Sequence, residues 1–201
     1  AFISTAQTFN SSSNNSVYVG YKYTTGVQHG LNINSSMKTY LDNWYKTNIV
    51  DTGYSTSVAD AIYCNDRVPG TDEEVNAAFG ATGEGFGTYV TIYSLYNRMS
   101  LSSEGMPESF SPTLLCEREE DKFTVSEELG NGDLTYPVGL ITVDEMVYGG
   151  LYLSLGDSSI TNDESYLFDA GNYYWSMSPV AFSSGDGGSA GVVAGDEGVL
   201  Q

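Results

Sequence analysis

The clearest periodic pattern in this 201-residue chain is an apolar stripe that follows a pair of serines. Its apolar residues recur at i, i+3, i+4, i+7 and i+8, the spacing of one helix face: Met37, Tyr40, Leu41, Trp44 and Tyr45. The serine pair can supply an N-cap acceptor. The pattern therefore predicts a helix over 36–46, whose other face carries Lys38, Asp42, Asn43 and Lys46.

Alternating or continuous apolar runs predict strands elsewhere in the chain. Segments 17–23 and 88–96 alternate strongly, and 59–67 has the composition of a strand that ends in polar residues. Segment 134–141 is apolar and partly alternating, which suits a buried strand. Phe123 and Val125 are expected to enter the core.

A helix start is encoded directly after the apolar run 134–141. The hydroxyl of Thr142 can accept from the amide of Glu145, and the Glu145 carboxylate can accept from the amide of Thr142. About one helical turn follows, and Gly149 and Gly150 allow a left-handed exit. These residues predict a short helix that ends before Gly149.

The densest aromatic run of the chain lies downstream, and its large side chains are typical of a core: Tyr166, Phe168, Tyr173, Tyr174 and Trp175. We expect both Trp44 and Trp175 to be buried in one domain.

Polar and glycine-rich segments predict the loops. Residues 1–16 have the composition of a flexible N-terminal extension. Segment 69–87 is expected to be an exposed insertion, and the charged run 117–121 a solvated turn. Gly130 and Gly132 predict a tight turn. After Pro179 the chain becomes glycine-rich, which predicts a flexible hairpin with one short strand at 190–194 and the stub of another at 198–201.

The charge balance excludes several classes of partner. With 26 acidic and 7 basic residues, the net charge is −19. Nucleic acids and anionic membrane surfaces would be repelled, whereas divalent cations would be attracted. No run of 18 apolar residues is present, so the given chain is not expected to insert into a membrane.

Two cysteines, Cys64 and Cys116, are too far apart in sequence for a CxxC redox or zinc motif. In an exported protein they can form a disulfide, which stabilises by about 2–4 kcal/mol. The alternative is two separately buried thiols.

Candidate chemistry is sparse. His29 is the only histidine, and no nucleophile–base motif or phosphate-binding loop accompanies it. Asp66 and Arg67 are expected to pin a loop rather than to catalyse a reaction. Asp157, Asp163 and Glu164 offer oxygen ligands of the kind that Ca²⁺ accepts, although a solvated acidic loop is the simpler explanation of these residues.

A set of motifs, taken in order, resembles a bacterial surface-protein domain of unknown function that is related to the formylglycine-generating-enzyme-like branch of the C-type-lectin fold. The resemblance covers about 17–198 and rests on VGYKY, NSSMKTYLDNWYKTN, YCNDR, YNR, DKFTVS, YPVGLIT followed by DE, and YW-x-MSP.

The resemblance implies an α+β, C-type-lectin-like fold with mainly antiparallel sheets, one or two short helices and long loops, as a single domain over 17–201. It also implies an extracellular location at the bacterial cell surface and a prepilin-like or signal-anchor helix before Ala1. Family members continue into a closing C-terminal strand with an Arg-Pro pair, which this chain lacks. The two catalytic cysteines of the related enzymes have no counterpart motif at Cys64 and Cys116.

Two functions fit this description. The first is a non-catalytic, pilus-associated or surface adhesive module that binds a glycan or protein through its C-terminal loops. The resemblance places the contacts between 178 and 197, at Ser178, Phe182, Ser183, Ser184, Asp186, Asp196 and Glu197. The second is a structural subunit of an extracellular filament or surface layer, made of copies of itself. An exported hydrolase is a distant third hypothesis.

Overall fold

A computed structural model describes residues 34, 36–71, 73, 80, 90–99, 111–149, 174–183 and 187–193. Within these residues the helices are α1 (Ser36–Tyr45), α2 (Ser94–Arg98) and α3 (Val143–Tyr148). A π-helical turn (Lys46–Val50) extends α1, and 3₁₀ turns occupy Ser55–Ser57 and Glu119–Asp121. The strands are β1 (Tyr63–Cys64), β2 (Thr91–Ile92), β3 (Lys122–Phe123), β4 (Tyr174–Ser183) and β5 (Gly187–Val193).

The strands form two small antiparallel sheets in the described part of the chain. β1 pairs with β3, with Tyr63 opposite Phe123. The second sheet has the order β2-β4-β5. Together with the helices, these sheets give a mixed α+β architecture, as the sequence predicted at that level.

The glycine-rich segment does contain a strand, β5, but it begins at Gly187 rather than at residue 190, and its hairpin partner is the preceding strand β4. Pro179 lies within the central strand β4, and the register shifts on both sides of it. Proline has no amide hydrogen to donate, so an irregularity of the ladder is the expected way to accommodate it. The predicted stub at 198–201, the strand at 17–23 and the extension 1–16 lie outside the described residues.

One hydrophobic core packs α1 against both sheets. Phe123, Leu134 and Met177 are its buried centre, and the partly buried residues packed around it are Leu41, Tyr63 and Leu140. At the end of α1, Tyr45 stacks on Tyr136 with ring centroids 5.2 Å apart. The predicted apolar stripe thus contributes Leu41 and Tyr45 to the interior.

Two expectations for α1 and the tryptophans need correction. Lys38, placed on the polar face by its spacing, is 1% exposed and pairs with Asp42 one turn later. An i,i+4 ion pair offsets part of the cost of burying the ammonium group. Trp44 and Trp175 are only partly buried.

The predicted strand 88–96 is wrong in its second half. The extended chain ends at Tyr93, whose amide donates to Val180 O at 3.0 Å, and α2 begins at the next residue. Leu95 and Met99 are fully buried one helical turn apart. Helical spacing therefore replaces strand alternation here, because a helix places both side chains on one buried face.

The predicted strand 134–141 is also absent. The Leu134 amide donates to Thr124 O and the Val138 amide to Tyr136 O, so the segment makes no continuous ladder. Pro137 contributes no amide donor within it. Its last residue, Ile141, accepts from the Met177 amide at 2.9 Å, which fixes the start of α3 against β4.

Three smaller expectations also fail. Val125 is 40% exposed because its amide donates to the carboxylate of Asp60, which turns the chain after β3. The exposed insertion does not begin at Pro69, since Pro69 bridges Tyr93. Gly149 ends α3 with φ −75°, which is not left-handed.

The turn predicted at 130–132 is present. Gly132 has φ +68°, a region that favours glycine, and the Asn131 amide donates to Lys122 O at 2.8 Å. No helix in the part of the chain described above is long and apolar enough to cross a bilayer.

The burial pattern after β3 leads to a stability prediction. Phe123→Ala should lower the free energy of unfolding by about 3–5 kcal/mol, because a buried ring is removed from the main core. Val125→Ala, two residues later but exposed, should change it by less than about 0.5 kcal/mol. Urea denaturation of both variants measures the difference, and similar losses would contradict the placement of this segment.

Candidate functional site

Five charged side chains from distant segments meet in the interior. We call them the charge cluster: Asp66, Arg67, Arg98, Asp121 and Asp144. Two come from the segment after β1, and α2, the second 3₁₀ turn and α3 supply one each. Buried charges persist only when they are paired and hydrogen-bonded, so these contacts determine how the segments pack.

Arg67 and Asp121 form the more deeply buried pair, with side chains 4% and 1% exposed. The Arg67 Nε donates to Asp121 Oδ1, and the Arg67 backbone amide donates to Oδ2 at 3.0 Å. The Asn65 amide also donates to the backbone oxygen of Asp121. Asp121 therefore pins segment 65–67. The charged run 117–121 predicted a solvated turn, but Asp121, its last residue, is buried.

Arg98, on α2, joins two carboxylates. Its Nη2 donates to Asp66 Oδ2 at 2.5 Å and to Asp144 Oδ2 at 3.0 Å, and its Nε approaches Asp144 Oδ1 at 3.3 Å. Its Nη1 donates to Ser94 Oγ, one turn earlier. Asp66 and Arg67 thus pin a loop, as predicted, but each does so through a distant partner.

The local sequence of α3 explains why Asp144 reaches this cluster. Thr142 and Glu145 form both bonds of the predicted capping box, which places Asp144 in the first turn of the helix. Asp144 then accepts from Arg98 and from the Thr113 amide at 2.8 Å. A carboxylate in the first turn also interacts favourably with the helix dipole.

The disulfide borders the cluster. The Cys64 and Cys116 sulfurs are 2.06 Å apart and the Cα atoms 5.7 Å apart, within the range of disulfide geometry. Cys64 directly precedes segment 65–67, and Cys116 precedes the turn that carries Asp121. The covalent bond and the Arg67–Asp121 pair therefore hold the same two segments together.

Burial is the largest influence on the protonation of two of the cluster carboxyls. Desolvation raises the pKa of Asp66 and of Asp121, and the neighbouring arginines only partly offset it. Desolvation alone would lower the pKa of Arg98, but Asp66 and Asp144 outweigh it, so its pKa lies above the ordinary value. Arg98 therefore stays charged, and Asp66 and Asp121 are the groups whose affinity for a proton burial increases.

Sequence reasoning missed three members of this cluster. Asp121 was predicted to lie in a charged turn. Arg98 and Asp144 appeared only as letters of the YNR and DE motifs, after the strand predicted at 88–96 and within the capping sequence. Their partners lie 32–54 positions away in sequence. Only the capping box gave a local signal, because it specifies where the first turn of α3 begins.

The predicted ligand residues are described only in part. Ser178 is 1% exposed and its hydroxyl accepts from the Val143 amide at 2.9 Å, so it supports the start of α3. Phe182 and Ser183 are the last two residues of β4. Ser184, Asp186, Asp196 and Glu197 lie outside the described residues, and ligand binding through this segment stays a prediction.

The predicted calcium ligands, Asp157, Asp163 and Glu164, likewise lie outside the described residues. Across the ranges that are described, no group of three or more His, Cys, Asp or Glu side chains could hold a metal ion.

Comparison with known proteins adds no relative: no protein family, curated protein or solved structure matches the chain.

The Arg67–Asp121 pair generates a second prediction. Arg67→Met should lower the free energy of unfolding by about 3–5 kcal/mol, because it leaves a buried carboxylate without its partner. Arg67→Met with Asp121→Leu should recover much of that loss, since both charges are then gone. Arg118→Met, which removes a surface pair with Glu120, is the control and should cost less than about 1 kcal/mol. Additive losses in the double variant would contradict direct pairing.

The disulfide is tested by mass. Intact protein treated with a thiol alkylating reagent without reductant should gain no adduct, and after reduction it should gain two. Replacing both cysteines with serine should lower the free energy of unfolding by about 2–4 kcal/mol. Two alkylated thiols in protein that has been denatured without reductant would refute the bond.

Proposed function

We propose that this chain is a non-catalytic binding module of the bacterial cell surface, with a C-type-lectin-like fold, that contacts a glycan or protein through the loops after β4. The contact residues would be those predicted between 178 and 197, excluding Ser178, whose hydroxyl already supports α3. The proposal assigns recognition to loops and mechanical stability to the scaffold behind them.

The disulfide beside the charge cluster is the observation that carries this proposal. Disulfides persist in oxidising environments such as the cell exterior and are rare in the cytosol. Here the bond reinforces a joint that buried ion pairs already hold. Such a joint suits a domain that works outside the cell without chaperones.

The charge and the sheet order also support the proposal. A net charge of −19 disfavours nucleic acids and anionic membranes as partners and keeps an exported domain soluble. Part of the segment with the predicted contacts lies in β4 and β5, within a sheet of order β2-β4-β5. Asp157, Asp163 and Glu164 would supply the carboxylate oxygens if the module also binds Ca²⁺.

Binding of monomeric protein to immobilised extracellular glycans and matrix proteins tests this function. Ser184→Ala combined with Asp186→Asn, at two predicted contact positions between β4 and β5 in the sequence, should weaken binding at least tenfold. Asp133→Asn, an exposed aspartate in the turn after β3, is the matched control and should leave binding unchanged. Excess EDTA should weaken binding if the predicted calcium ligands contribute.

No binding to either class by a folded monomer would refute the adhesive proposal. Equal weakening by the hairpin variant and by Asp133→Asn would instead place the contacts outside the hairpin.

A structural subunit of an extracellular filament is the second candidate, and β5 favours it. In the described sheet β5 pairs with β4 alone, and its seven residues include no proline and no charged side chain. Such an edge can accept a strand from another chain. The donor would be residues 1–9 of the next copy, whose apolar residues are Phe2, Ile3 and Phe9.

Electron microscopy and sedimentation of concentrated protein test this alternative. Deleting residues 1–9 should abolish polymers while leaving the far-UV circular dichroism unchanged. Normal assembly of the shortened chain, or a stable monomer of the full chain at high concentration, would exclude this donor.

A further inference from the structure

We propose that Asp66 is a proton-binding site that couples the stability of the joint to pH. In this proposal the folded protein holds a proton on Asp66 under mildly acidic conditions, and its release as the pH rises weakens the contact between segment 65–67 and α2.

The first argument is a charge count. The cluster contains three carboxylates and two guanidiniums, which leaves one negative charge in excess among buried side chains. Six of the seven basic residues of the chain are described, and each of the four outside the cluster pairs with another carboxylate. One of these four, Arg118, also attracts Asp121, but it is not among the groups that act on Asp66. A proton is the simplest way to balance a buried surplus charge.

The second argument identifies the surplus carboxyl. Asp121 accepts from the Arg67 side chain and backbone amide. Asp144 accepts from two nitrogens of Arg98 and from the Thr113 amide. Among the described residues, Asp66 accepts from Arg98 Nη2 alone, a nitrogen that Asp144 shares. Asp66 therefore has the fewest donors to stabilise a negative charge.

The groups that face Asp66 reinforce this assignment. Arg98 on α2 attracts its charge, whereas Asp144 on α3 and Asp121 on the 3₁₀ turn repel it. Residue 66 is only 8% exposed, so water screens these interactions little. Desolvation is the largest influence and raises the pKa of the Asp66 carboxyl, in agreement with the charge count.

The sign of the stability change follows from proton linkage. A carboxyl whose pKa is higher in the folded than in the unfolded chain binds more protons when folded. Its stabilising contribution is full below the ordinary pKa of 3.8 and is lost as the pH rises through the folded value. The unfolding equilibrium constant should therefore rise with pH, by at most about tenfold per pH unit for one proton.

The backbone of Asp66 makes a clean test available. Its φ of +24° is positive, which is uncommon outside glycine, and asparagine tolerates such conformations better than most residues. Asp66→Asn therefore preserves shape and backbone while imitating the protonated carboxyl.

Urea unfolding of the full chain from pH 4 to pH 8 is the first experiment. Asp66→Asn should be more stable than the wild type at pH 8, and the two should converge toward pH 4. Asp133→Asn, the same change at an exposed site, should run parallel to the wild type throughout. Asp144→Asn should be less stable than the wild type at every pH, because it removes the main partner of Arg98.

An Asp66→Asn curve that is parallel to the wild type, or lower than it at pH 8, would overturn the proposal, since Asp66 would then be an ordinary ion-pair partner. Carboxyl ¹³C NMR of the wild type provides a test that does not depend on a variant folding. The Asp66 signal should titrate above the ordinary carboxyl pKa of 3.8, and titration at or below that value would equally refute the site.

Discussion

Pairing of buried charge is the constraint on which the described structure depends. Arg67 and Arg98 enter the interior, where an unpaired guanidinium would be very costly, so carboxylates must approach them from other segments. Asp121 meets one and Asp144 the other, which brings the second 3₁₀ turn and α3 to the segment after β1. Loss of one partner leaves an uncompensated charge, so the pairs specify this packing more strongly than their net energy suggests.

β4 links the hydrophobic core to α3, the helix that carries Asp144 of the charge cluster. Met177 packs with Phe123 in the core beneath α1, whereas the next residue, Ser178, accepts from the first amide of α3. Neighbouring residues of a strand point to opposite faces, so one strand supports both regions. The Cys64–Cys116 bond reinforces the opposite side, where β1 meets the segment leading to Asp121.

This architecture suits the proposed surface module because the charge cluster and the disulfide use none of the residues that would contact a ligand. The acidic composition acts in the same direction as the proposed proton site. A net charge of −19 creates an overall field that attracts protons, and the buried surplus at Asp66 adds a local contribution. Mild acidity would therefore strengthen the joint rather than weaken it.

The sequence by itself determined the elements that depend on neighbours along the chain. The apolar stripe of α1 and the capping box of α3 are specified by contacts within a few residues. The strand β5 lies in the glycine-rich segment where a strand was predicted. Tertiary structure decided the rest. It turned the alternating segment 88–96 into a short strand and α2, left 134–141 without a ladder, and buried Lys38 and Asp121. It also joined Arg98 to Asp144 across 46 residues. In an acidic chain nearly every arginine has many carboxylates to choose from, and only the packing of the cores selects which ones it meets.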